Sequence, residues 1–127
     1  MKKYLVLALA ALLLGTNAIA VFAEPVESYR GAVSADAPVT IDFSTGADDV
    51  GVIVAFKARN GGDRTLEVKD AGGAVVWSAL IPHAIKTGSS FYVALDASSH
   101  YQVVISVSEG RTRYDLMINH CQAGTCS

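Results

Sequence analysis

From Val39 onward, apolar residues recur at every second position in short runs, and each run is cut off by Gly, Asp, Asn or Ser. That period describes strands and excludes amphipathic helices, whose apolar positions return every three to four residues. Residues 39–44 put Val39, Ile41 and Phe43 on one face and Thr40, Asp42 and Ser44 on the other. Residues 101–108 turn Tyr101, Val103, Ile105 and Val107 inward, and residues 113–120 set Tyr114, Leu116 and Ile118 against Arg113, Asp115 and Asn119. Phe91, Val93 and Leu95 make a further inward row. Each of these predicts a strand with one buried and one wet face. Residues 50–57 differ, since Val52, Ile53, Val54, Ala55 and Phe56 are apolar on both faces. They predict a central strand covered on both sides, or one whose outer face meets another surface. Residues 65–69 and 74–80 flank Asp70-Ala71-Gly72-Gly73, a hairpin signal, while Asn60-Gly61-Gly62-Asp63 and Glu109-Gly110 are further turns. Seven or eight strands in about 100 residues predict an all-β fold, a two-sheet antiparallel sandwich of jelly-roll or immunoglobulin-like type. Trp77, beside Val75 and Val76, is expected in its core rather than as an exposed sugar-stacking ring.

The first 23 residues follow a different logic. Lys2-Lys3, an apolar run from Tyr4 to Leu14, then small residues ending in Val21-Phe22-Ala23 describe a secretory signal peptide. Ala18-Ile19-Ala20 and Val21-Phe22-Ala23 both suit cleavage; the polar Glu24-Pro25-Val26-Glu27-Ser28 favours the cut after Ala23. The alternative is an uncleaved anchor, because residues 4–22 approach the roughly 20 apolar residues that span a bilayer. Gly15-Thr16-Asn17 and the small residues that follow favour cleavage, so no stable membrane insertion is expected afterwards. No cysteine lies nearby to carry a lipid anchor. The expected layout is a signal peptide over 1–23, a polar lead-in or edge strand over 24–38, the sandwich over 39–120, and a closed tail over 121–127. The localisation implied is secreted or periplasmic. Lys2 and Lys3 leave with the leader, taking basic residues from 10 to eight against 12 acidic ones. Net negative charge argues against nucleic acid and anionic membrane surfaces as partners.

The stretch Tyr101-Gln-Val-Val-Ile-Ser-Val-Ser, the Glu109-Gly110 turn and Tyr114-Asp-Leu-Met-Ile together resemble the last hairpin of bacterial pre-peptidase C-terminal domains. The segment from Leu66 to Val76 is similar to their central strand–turn–strand, although Arg64-Thr65-Leu66-Glu67-Val68 departs from the family's acidic entry to it. The resemblance covers roughly residues 33–119 and implies an exported, non-catalytic accessory module. Such domains usually accompany a peptidase, and none is attached here.

Chemistry-bearing residues are few. Cys121 and Cys126, an even pair in an exported chain, predict a disulfide that closes the tail. His120 with the two cysteines would give only three zinc ligands, and a redox pair would more typically read Cys-x-x-Cys. His83 and His100 sit in no metal spacing, and no serine lies in a nucleophile elbow. A Ser-His-Asp triad then needs distant loops to converge. Asp48-Asp49 is the candidate calcium loop, with Asp63 and Asp70 as further contributors, against the plainer reading of a solvated turn. No cofactor is expected. Tyr92, Val104 and Met117 face outward by strand parity and form the candidate interface. The function expected is an exported non-catalytic binding or accessory module for a protein or glycan. A filament or coat subunit joined through strand edges is the alternative, and a small secreted hydrolase the second.

Overall fold

The computed structural model describes residues 26–124 and 126. The leader assigned to 1–23 and its cleavage point lie outside them. Eight strands follow one another: β1 (Val26–Ser34), β2 (Val39–Ser44), β3 (Asp49–Ala58), β4 (Arg64–Asp70), β5 (Val75–Ile81), β6 (Ser89–Ala94), β7 (His100–Val107) and β8 (Arg111–Gln122). No helix occurs among the described residues. One sheet has the order β1-β8-β3-β6, the other β2-β7-β4-β5. Pairing runs first with last, second with seventh, third with sixth and fourth with fifth, all antiparallel. The chain is thus one long hairpin wrapped into two layers, which is the jelly-roll order and not the immunoglobulin one.

The alternating rows seen in the sequence fill the space between the layers. Ile41 and Phe43 of β2, Val52, Val54 and Phe56 of β3, and Leu66 and Val68 of β4 are buried there. Val103, Ile105 and Val107 of β7 meet Tyr114, Leu116 and Ile118 of β8 in the same layer. Burying each such side chain contributes roughly 1.5–3 kcal/mol, so the double row carries the fold. The predicted hairpin is β4–β5, and its turn is capped by Asp70, whose Oδ1 accepts from the amides of Gly72 and Ala74 at 2.9 Å each. Gly73 takes φ +85° in that turn, a conformation that costs other residues energy.

Four expectations change. Residues 24–38 contain an edge strand, β1, that is longer than its apolar residues suggested, because it is held by nine register pairs with β8. The Glu109-Gly110 turn does not close a hairpin, since β7 and β8 belong to different sheets and the turn carries the chain between layers. β3 is central, between β8 and β6, yet only its inner face is covered by the second sheet; Ile53 and Ala55 are half-buried among neighbouring side chains on the open face. Trp77 does turn inward and packs on Phe91 (ring centroids 5.3 Å apart), but at the margin of the sandwich, while Val75 and Val76 are exposed. β5 is an edge strand, so only one of its faces has a layer beneath it.

Candidate functional site

Register pairing assembles the outer face of the first sheet from four strands. Tyr92 on β6 lies beside Ile53 on β3, which lies beside Asn119 on β8 and then Val26 on β1. The next row is Ser90, Ala55, Met117 and Ser28. Tyr92 and Met117 remain 41% and 45% exposed, so Ile53 and Ala55 join them into one apolar surface. The Tyr92 hydroxyl reaches across β3 to the Val50 carbonyl at 3.4 Å, passing over Gly51. A Cβ added at Gly51 would collide with the Val93 carbonyl and lie 2.8 Å from Tyr92 Oη, so the close approach of the β6 backbone requires a glycine there.

Two residues further along the same strands, the surface becomes charged. Arg30, Asp115 and Lys57 form a third row across β1, β8 and β3, with Arg30 Nε 2.8 Å from Asp115 Oδ1. Beyond it a cavity of about 320 Å³ is lined by Lys57, Ala58, Arg59, Asn60, Thr112, Arg113 and Asp115.

Val104 does not belong to this face. It lies on β7, opposite Glu67 and Thr40, on the outer side of the second sheet. Strand parity separates inward from outward residues but does not say which of two sheets a strand joins. Tyr92 and Met117 are brought together and Val104 is left behind.

The acidic turn residues do not converge either. Asp48 is exposed in the turn before β3, whereas Asp49, the first residue of that strand, is buried. The Asp49 carboxylate accepts from the Gly46 amide at 2.7 Å, Gln122 Nε2 at 2.7 Å and His120 Nδ1 at 2.8 Å, which leaves it little capacity for a cation. Asp63 and Asp70 sit at opposite ends of β4 and serve local bonds, Asp63 to His83 and Asp70 to its own turn. Among the described residues no group of three or more His, Cys, Asp or Glu is placed to hold a metal.

Cys121 and Cys126 form the disulfide, with Cα atoms 5.3 Å apart, so neither thiol is available to a metal. His120 points away from Cys121 into the sandwich, where its side chain is 6% exposed. Its Nε2 is 2.5 Å from Glu27 Oε2 and its Nδ1 bonds Asp49, while the Tyr29 hydroxyl donates to Glu27 Oε1 at 2.6 Å. Burial disfavours a charged imidazole, but the bonds and charges of Glu27 and Asp49 outweigh it and raise its pKa. Burial likewise opposes the Asp49 charge, and its three donors hold its pKa down. Tyr29 is pushed up to about 12 by burial and by the Glu27 carboxylate. This chain ties β1, β8 and β3 together. Sequence reading missed it, although His120 shares the parity of the inward Ile118.

His100 Nδ1 lies 2.7 Å from Ser44 Oγ, its register partner, and a cavity of about 410 Å³ beside it is lined by Asp42, Asp70 and Gln102 among others. Asp42 accepts from Gln102 and Asp70 from its turn amides, so neither carboxylate orients the imidazole. A hydroxyl and imidazole meet here without the third member that a triad requires.

No family model matches the chain, and no curated protein does. Among solved structures, the Yersinia pseudotuberculosis-derived mitogen is similar at 13% identity and a TM-score of 0.48, over 79% of this chain and 92% of that one. A likeness of that size carries no functional argument.

Proposed function

We propose that this chain is an exported, non-catalytic binding module that recognises a protein or glycan through the outer face of the β1-β8-β3-β6 sheet. The contiguity of Ile53, Tyr92, Ala55 and Met117 carries the reading. Outward faces of a sandwich are ordinarily polar, whereas tyrosine, methionine and arginine are enriched where partners dock. Here Met117 stands on an inner strand, Tyr92 reaches over β3 from edge strand β6, and Arg30 stands at the margin. The leader and the tail disulfide support an oxidising compartment outside the cytoplasm.

Photo-crosslinkers introduced at Tyr92 and, as a control, at Thr40 on the opposite sheet test this in culture supernatant or periplasm of the source organism. The Tyr92 probe is expected to capture a defined partner that Thr40 does not. Exchange of Tyr92 and Met117 to serine should weaken that complex by about tenfold or more, as a central aromatic anchor does. Equal capture from both faces would refute the assignment.

Edge association is the second reading, favoured by β5. Its seven residues, Val75 to Ile81, carry no charge or proline, and Val75, Val76 and Leu80 are 50%, 47% and 63% exposed. Natural edges usually carry such protection. Val76 and Leu80 are symmetric about Ser78, so a two-fold axis there would set each against the partner's other residue. Ser78→Cys is then expected to yield a disulfide-linked dimer at micromolar concentration, and Leu80→Lys to abolish it. A strictly monomeric Ser78→Cys protein under oxidising conditions would end the reading.

A further inference from the structure

The charged half of the binding face is more specific than its apolar half. Lys57, Arg59 and Arg113 line one cavity, and among the described residues no carboxylate is bonded to any of them. The cavity's single acidic residue, Asp115, is already engaged by Arg30. Thr112 is spent within the fold, accepting from the Asn60 amide at 3.0 Å and donating to the Arg113 carbonyl at 3.0 Å. Like charges close together on a sheet destabilise it, and of the residues lining the cavity only Asp115, opposite Lys57 in the register, carries the other sign.

The rest of the molecule sharpens the contrast. At the opposite end of the sandwich, Glu27, Asp42, Asp48, Asp49, Asp70 and Asp96 are accompanied by one cation, Lys69. Lys86, whose Nζ donates to the Arg59 carbonyl at 3.0 Å, and Arg111 add to the cationic end. Of the eight Lys and Arg among the described residues, three line this cavity and Lys86 and Arg111 lie at the same end, where Asp36, Asp63 and Glu109 sit in the connections.

We infer that the Lys57–Arg59–Arg113 cavity binds the carboxylate or sulfate groups of an acidic oligosaccharide. This rests on the reading of the first sheet's outer face as the binding surface. Two guanidinium forks match planar or tetrahedral oxyanions with paired hydrogen bonds, and Lys57 adds a point charge. The Asn60 side chain, also lining the cavity, supplies amide donors and an acceptor for sugar hydroxyls. A volume of about 320 Å³ lies at the small end of ligand sites, the scale of one or two sugar units. A long nucleic acid strand would need a cationic track, and beyond this cavity it would meet the acidic end.

Titration calorimetry with a sulfated hexasaccharide, a hexagalacturonate and a neutral hexasaccharide tests the assignment. Both acidic sugars are expected to bind with an affinity that falls as salt rises, and the neutral one not to bind. Arg59→Gln/Arg113→Gln should weaken acidic-sugar binding by about tenfold or more. Lys69→Gln should leave it unchanged. The double variant's thermal midpoint should stay level or rise, because like-charge repulsion is relieved.

Undiminished binding by the double variant, or equal binding of the neutral sugar, would overturn the inference. So would tighter binding of a single-stranded oligonucleotide or of phosphatidylglycerol vesicles measured in parallel. Tyr92→Ser/Met117→Ser separates the two proposals. If its partner is lost while no acidic sugar ever binds, the face stands and the oligosaccharide does not.

Discussion

Arg64→Ala is expected to cost about 4 kcal/mol of unfolding free energy, read as a lower urea midpoint at unchanged slope. The side chain is fully buried at the start of β4, yet no carboxylate binds it. Its guanidinium is solvated instead by four backbone carbonyls. Nη1 donates to Ile85 at 2.7 Å and Pro82 at 3.3 Å, and Nη2 to Asn60 at 3.1 Å and Ala58 at 3.2 Å. One lies at the end of β3 and one in the β3–β4 connection, and two lie in the β5–β6 connection, so one planar fork holds two crossings between sheets. Hydrogen bonds to a charged group contribute roughly 1.5–3 kcal/mol each, but water would re-solvate the outer carbonyls in the variant, so the losses do not add. Arg64→Lys keeps charge and length but cannot reach both connections, and should forfeit about half as much. Amide exchange in residues 58–62 and 82–87 should accelerate in both variants. An Arg64→Ala protein within 1 kcal/mol of the parent would mean the connections hold themselves.

That arginine shows where the sequence was readable and where it was not. Leu66 and Val68 are buried on the inward face of β4, and the same parity places Arg64 inward one step earlier. A charge at the end of an apolar row reads as the strand's exposed tip unless the carbonyls waiting for it are known. Those carbonyls come from residues up to 21 positions away. The inward rows of β2, β6, β7 and β8 were legible, because strand alternation is a local property. Sheet membership was not, since it follows from which strands pair across the whole chain. Val104 and Met117 are both outward on adjacent strands in sequence, yet they end on opposite surfaces because β7 and β8 join different layers.

The outer face of the first sheet was half legible for the same reason. Tyr92 and Met117 stood out as large side chains on polar rows, and the structure places them together. The cationic cavity did not stand out. Arg113 is more than fifty residues from Lys57 and Arg59, and all three sit in a chain whose twelve acidic residues give it a negative average. Net charge excludes a uniformly basic surface; it says nothing about how cations are distributed once strands cross. The disulfide was legible because its two cysteines are close in sequence and have no competing partner.

His120→Ala is expected to cost about 3 kcal/mol, because it strands two carboxylates of like charge at the end of the sandwich, Asp49 being 6% and Glu27 28% exposed. For a domain of this size that lowers the thermal midpoint by on the order of 15 °C. The dependence on pH is the sharper test. Both carboxylates are acceptors, so the ring must donate from both nitrogens, and only the imidazolium does so. The His120 pKa is raised in the fold, so its contribution is complete below the unfolded value of about 6.5 and is lost as pH rises through the higher folded one. The Asp49 pKa is lowered, so its contribution is present above the unfolded value near 4 and fades as pH falls through the lower folded one. Stability should therefore be greatest between about pH 4 and 6.5 and decline on the alkaline side. Deprotonation leaves one nitrogen lone pair facing a carboxylate. The more exposed Glu27, on edge strand β1, is the partner free to withdraw, so amides of residues 26–29 should exchange faster there. His120→Gln carries no titrating proton and should remove the alkaline decline while retaining part of the hydrogen bonding. A parent protein whose urea midpoint is level from pH 6 to 9 would show that His120 does not need its charge to join the three strands.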